Sequence, residues 1–319
     1  MRYRSILGLS SAAIVMFMPM AACDKVNIPG VGNAGISTVG QSLAGQSTLN
    51  SPVLLDKLGK FFYADATNGR AKYTAEDSKE DKKVTDQMTG IFNLLIDAAK
   101  HNQKYSSVAN EMAWQLTTIK DKAIINAKAV PGGGVIIYDG VFEVAQNEAA
   151  LAALLGHEIV HVLARHGLKR LSGSAATAAA TIGPMIASGV TLGNMDPEVI
   201  GPVAGALGVG AAYGVHQQWE QSQEHDADCD GLLLAAEAGY DPKEIITFWG
   251  NMQKLTEEQK KKIQFLADHP INKDRLDRVT KEGGCLSEAT NAFRNRVQQL
   301  QATGQKKPNS IEPLPGVAG

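Results

Sequence analysis

Residues 147–166 read Asn147-Glu148-Ala149-Ala150-Leu151-Ala152-Ala153-Leu154-Leu155-Gly156-His157-Glu158-Ile159-Val160-His161-Val162-Leu163-Ala164-Arg165-His166. No proline interrupts the run, and Leu151, Leu154, Leu155, Ile159, Val160 and Val162 give it a broad apolar surface. Asn147 and Glu148 suit a helix start, so a long, largely buried helix is predicted over 149–166. Inside it His157 and His161 are four residues apart and share one face, about one turn apart. Two imidazoles in that register can bind one zinc ion at ~2.0–2.1 Å each. Glu158 lies beside them and reaches a water on the ion rather than the ion itself, where a general base belongs. The bland alternative is a chance His-Glu-x-x-His on a surface helix. The apolar context argues against it, because buried histidines and a buried carboxylate are costly unless something satisfies them.

His166 falls nine residues after His157, nearly on the opposite helix face. An extended metzincin pattern needs a glycine seven residues and a histidine ten residues after its first histidine. Ala164 and Gly167 stand at those places, so that pattern is absent and His166, with Arg165, reads as structural. A third protein ligand must come from elsewhere. The strongest candidate is Glu224, in Glu224-His225-Asp226-Ala227-Asp228-Cys229-Asp230-Gly231, a helical stretch that continues through Leu232, Leu233 and Leu234. Glu224 and Asp228 share a face, so Glu224 as ligand leaves Asp228 free to accept an imidazole N–H. A solvated acidic face is the alternative, and His225 is the competing ligand, pointing away if Glu224 points in.

The chain of 319 residues is long enough for a sizeable core, and length alone allows one or two domains. A formal net charge of −2 without a Lys/Arg stripe gives no nucleic-acid footprint. Arg2 and Arg4 followed by an uncharged apolar run and Met20-Ala21-Ala22-Cys23 have the anatomy of a secretory signal. The cysteine placement resembles a bacterial lipoprotein signal, with Met20 where leucine is usual. On that reading residues 1–22 are a leader and Cys23 is the lipidated first residue of the mature chain. Residues 23–50 form a lipidated flexible tether, rich in Gly, Ser, Asn and Thr. Multiple acyl chains would hold such an anchor stably on a membrane. The 31 basic residues fall to 29 when Arg2 and Arg4 leave, against 33 acidic ones. Export makes a disulfide between Cys229 and Cys285 chemically possible, with two unpaired thiols the equal alternative.

Residues 51–302 are expected to hold the catalytic domain and 303–319 a disordered tail. A helical period runs over 84–101 through Met88, Ile91, Leu94, Leu95 and Ala98. Strands are predicted over 114–119, 123–130 and 135–138, with Pro131-Gly132-Gly133-Gly134 as a turn. The fold class is therefore α+β, mainly helical, with a small sheet before the His-Glu-x-x-His helix. One sheet edge could take substrate backbone as an added strand; a plain structural hairpin fits as well. Residues 171–195 carry no charge, and 199–216 are similarly neutral, which meets the length criterion for a membrane span. Their Gly, Ala, Ser and Thr content and Pro184 favour small-residue helices beside the site instead. Asp241 is expected to cap a helix, with Pro242 at its first position and Glu244 completing a capping box.

These residues resemble the gluzincin peptidases of the HtpX and CAAX-prenyl-protease group, peptidase family M48. The resemblance rests on Gly156 to His166, on Glu224-x-x-x-Asp228 and on Ala238-Gly239-Tyr240-Asp241-Pro242, and it covers about 84–278. The lipobox makes the chain most similar to periplasmic lipoprotein members of the LoiP and BepA type. The resemblance implies a zinc-dependent metalloendopeptidase with a zincin-like fold and one Zn2+ held by His157, His161 and Glu224. It implies Glu158 as general base and Asp228 as the outer partner of a ligand imidazole. It also singles out His269-Pro270, with Arg275 after it. His269 then either polarises the scissile carbonyl or plugs the site as a fourth ligand, and a helix-stop dipeptide is the alternative. Expected partners are envelope or misfolded protein substrates, the membrane through Cys23, and possible envelope assembly partners. Asp24 favours the inner membrane of the periplasm, with the outer membrane open. A latent chaperone or assembly adaptor with a closed zinc site is the competing function. A prenyl-processing membrane enzyme would need several true spans.

Overall fold

The computed structural model describes residues 52–173, 191, 194, 197–207, 220–256, 269–270, 273–305 and 308. The leader, Cys23, the tether, most of the neutral 171–195 stretch and most of the tail lie outside them. Helix α1 spans Pro52–Thr67 and α2 spans Lys79–His101, followed by the short α3, Ser106–Glu111. Helix α2 starts five residues earlier than the apolar period suggested. Ser78 caps it there, its Oγ accepting the Asp81 N–H at 3.0 Å.

Strands β1 (Gln115–Ile119), β2 (Ala127–Val130) and β3 (Gly134–Tyr138) form one sheet in the order β1-β3-β2. β1 runs parallel to β3, pairing Gln115 with Gly134 through Ile119 with Tyr138. β2 runs antiparallel to β3, pairing Ala127 with Ile137 and Val130 with Gly134. All five residues of β3 are buried, which explains its unbroken β-branched run. Its Val135 and Ile137 face the main core, while Ile136 and Tyr138 face a second cluster with Leu58, Phe62 and Leu168. The second strand begins four residues later than expected. Asp121 turns the chain first, its Oδ1 accepting the Ala123 N–H at 3.2 Å and its carbonyl the Ile124 N–H at 3.2 Å. Beyond β1, the sheet edge is partly covered by a bridge between Lys72 and Ile119.

After a short α4 (Phe142–Ala145), helix α5 spans Glu148–Leu163. Asn147 caps it, Oδ1 accepting the Ala150 N–H at 2.9 Å. Every residue from Ala149 to Leu163 is buried, as an apolar surface on all sides requires. The helix stops at Leu163 rather than running on to His166, because Arg165 takes a left-handed φ of 54°. Helices α6 (His166–Gly173) and α7 (Pro197–Ala206) follow, joined by a hydrogen bond from Arg170 Nη2 to the Gly205 carbonyl.

Helix α8, Gln221–Glu237, lies against α5. The two approach through a glycine pair: a Cβ on Gly156 would stand 2.5 Å from the Gly231 carbonyl oxygen, and one on Gly231 would stand 2.6 Å from the His157 nitrogen. No side chain larger than hydrogen fits there, and that closeness brings Glu224 and Asp228 up to the histidines. Gly239, at φ 97°, ends α8. The Tyr240 N–H reaches the Ala235 carbonyl at 2.9 Å, the 6→1 bond of a Schellman motif. Helix α9 spans Glu244–Lys254, α10 Lys273–Thr280 and α11 Cys285–Ala302. The expected cap at Asp241 is corrected here: its Oδ1 accepts the Lys243 N–H at 3.0 Å in a turn before the helix. Glu244 instead accepts from Asn147 Nδ2 at 2.9 Å, tying α9 to the start of α5. Cys229 and Cys285 form a disulfide joining α8 to α11. Among the described residues no helix is long and apolar enough to cross a membrane.

Candidate metal centre

His157 and His161 point the same way from α5, their Nε2 atoms 3.1 Å apart. Glu224 enters from α8, with Oε1 3.3 Å from His161 Nε2 and Oε2 3.9 Å from His157 Nε2. His269 completes the group. Its Nδ1 lies 2.8 Å from Glu224 Oε1 and 3.1 Å from His157 Nε2. The four ligand atoms lie within 4.8 Å of one another, and all four residues are buried.

The fit to a metal ion follows from these separations. Two ligands ~2.0–2.1 Å from one tetrahedral ion stand about 3.3 Å apart, close to the distances seen here. The hydrogen bonding agrees. Asp228 Oδ1 stands 3.1 Å from His157 Nδ1 and accepts the N–H there, so His157 Nε2 turns its lone pair toward His161. Two inward lone pairs at such range repel unless a cation or a shared proton lies between them. Two imidazoles and a carboxylate are also the donor set that suits zinc.

Glu158 is buried beside the group, Oε1 3.4 Å from His269 Nε2. Arg275, from α10, binds Asp228 side-on through one edge of its guanidinium: Nε to Oδ2 at 2.6 Å and Nη2 to Oδ1 at 2.7 Å. Its Nη1 pairs with Glu224 Oε2 and reaches the Pro270 carbonyl at 3.4 Å. Burial alone would raise the Glu224 carboxyl, but His269, His161 and His157 outweigh it and hold it ionised. Asp228 is likewise raised by burial and brought below its ordinary range by Arg275 and His157. Burial would lower Arg275, yet Asp228 and the two glutamates keep it charged. His161 is pushed well below its usual value, first by burial. Burial also lowers His166, to about 4.

The structure thus gathers His157, Glu158, His161, Glu224, Asp228 and His269 into one place. His225 stays outside, 3.6 Å from Cys229 Sγ. His166 is a correction. It does not lie across the helix from the histidines but faces His161, Nδ1 to Nδ1 at 3.0 Å, because the helix breaks before it. In the sequence Arg275 stands out only as a neighbour of His269. The available signal was Glu224 and Asp228 themselves, since two buried carboxylates on one face call for a cation.

A buried helix bearing His-Glu-x-x-His, a second helix supplying a facing carboxylate and a small sheet beside them define a zincin-like metallopeptidase. Residues 92–282 match Peptidase family M48, and the chain belongs to that family. It is 27% identical over 196 residues to the mitochondrial metalloendopeptidase OMA1 of Schizosaccharomyces pombe, covering 60% of this chain and 54% of that protein. It is 30% identical over 190 residues to a putative beta-barrel assembly-enhancing protease of Vibrio cholerae, covering 58% of this chain and 38% of that one. The beta-barrel assembly-enhancing protease of Escherichia coli (strain K12) is 29% identical over 156 residues, covering 48% and 31%. The chain therefore spans about half the length, or less, of these curated relatives.

Proposed function

We propose that this chain is a zinc-dependent metalloendopeptidase acting on envelope or misfolded proteins. His157, His161 and Glu224 hold the ion and Glu158 is the general base. One observation carries the reading: ligand atoms from α5, from α8 and from His269 meet in a buried cluster, with Glu158 at its side. Zinc bound there supplies Lewis acidity and lowers the pKa of water to about 7. Glu158 takes the proton of the attacking water and returns it to the leaving amine. Asp228 holds the His157 ring, and Arg275 holds Asp228. The outer edge of β2, which packs along α5, is the place for an extended substrate strand.

The same reading puts residues 1–22 in a cleaved leader, a lipid on Cys23, a tether to position 50 and the enzyme at 51–302, on a periplasmic membrane face. The bacterial relatives are named as proteases that enhance beta-barrel assembly, which supports protein substrates for this chain.

A second reading is favoured by His269. Its Nδ1 lies among the ligand atoms, 3.1 Å from His157 Nε2, where it would occupy a position on a bound ion. That arrangement describes a closed, latent centre. The lipid-free mature chain, loaded with zinc, is expected to digest an unfolded protein, to stop with a chelator and to recover with added zinc. Digestion by neither the wild type nor His269→Ala contradicts the protease reading. Digestion by His269→Ala alone supports latency.

A further inference from the structure

We propose that His166 is a positioning residue of the metal centre, acting as a neutral hydrogen-bond acceptor that sets the tautomer and ring orientation of His161. This rests on the ligand assignment proposed above. His161 turns Nε2 toward His157 Nε2 and Glu224 Oε1, so Nε2 is the nitrogen offered to the ion. A neutral imidazole with one coordinating nitrogen carries its proton on the other. That other nitrogen, Nδ1, faces His166 Nδ1 at 3.0 Å. His166 Nδ1 is then the acceptor, and the proton of His166 sits on Nε2, which faces Asp226 Oδ2 at 3.7 Å. The two rings meet at 74° with centroids 5.0 Å apart, both buried.

The backbone is shaped for this contact. A non-glycine residue in the left-handed region is crowded by its own Cβ, and Arg165 occupies that region at φ 54°. The bend turns His166 back onto the last turn of α5 instead of away from it. Gln223, from α8, donates Nε2–H to the His166 carbonyl at 3.3 Å and holds the bend in place. The two ligand histidines are therefore supported differently. His157 leans on a carboxylate that Arg275 already engages twice, whereas His161 leans on an uncharged ring. No second buried anion is needed beneath the site.

Two variants separate positioning from bulk packing. His166→Leu keeps an apolar side chain and removes the acceptor; His166→Asn places an amide oxygen close to where Nδ1 stands. Zinc affinity is read by competition with a chelator, the ligand field by the absorption of the cobalt-substituted protein, and packing by melting of the metal-free chain. His166→Leu is expected to bind zinc about 10- to 100-fold more weakly and to shift the cobalt bands. His166→Asn is expected to recover most of the affinity, with both variants melting alike without metal. Wild-type affinity in His166→Leu overturns the role. So do equal losses in both variants that track the metal-free melting temperature. A wild type that takes up no zinc overturns the ligand assignment itself, and the positioning role with it.

Discussion

Glu158→Gln is expected to retain zinc and fold as the wild type does, yet to cleave an unfolded protein 10²- to 10⁴-fold more slowly, the usual contribution of a general base. The amide has nearly the same shape as the carboxylate but cannot take a proton from water. Glu158 is buried and placed at the side of the cluster, 3.4 Å from His269 Nε2, so the change leaves His157, His161 and Glu224 in position. The measurement is a pair: metal content and initial digestion rate on the same preparation. Full cleavage in the variant sinks the mechanism. Lost zinc together with lost cleavage would make Glu158 part of the metal-holding set instead.

The second large effect is at Arg275. Its guanidinium is buried and answers Asp228 through two hydrogen bonds and Glu224 through a third contact. Arg275→Met leaves two buried carboxylates without their cation. Breaking one side of such a network costs about 3–5 kcal/mol, which lowers the melting temperature of a chain this size by on the order of 10 °C. Arg275→Lys does not restore it, because a single ammonium cannot reproduce the bidentate fit to Asp228. Thermal melts of the metal-free proteins decide the matter. A variant that melts with the wild type contradicts a structural role for the network.

The central helix and its neighbours were legible because their chemistry is local. His157 and His161 declare themselves by a four-residue step, and Glu224 and Asp228 repeat that step on α8. The β-branched run at 135–138 reads as a strand, and β3 is one. Position 166 was not legible, because helical periodicity carried the run past Ala164 where the backbone in fact turns at Arg165. Nor was the role of Arg275, since its partner Asp228 is 47 residues away and no local pattern links them. The glycine contact between Gly156 and Gly231 belongs to the same class: each residue is unremarkable in its own helix, and only packing pairs them. Asp241 shows the opposite error, a sound cap signature that served a turn three residues before the helix.

The proposed centre depends on Glu224, since two histidines and a base do not by themselves close a tetrahedral site. Metal analysis of the purified mature chain beside Glu224→Ala tests that most directly. One zinc per wild-type chain, and its loss from the variant on gel filtration in chelator-free buffer, is the result expected from a ligand that faces both His157 and His161. Full zinc in Glu224→Ala would contradict the proposed centre.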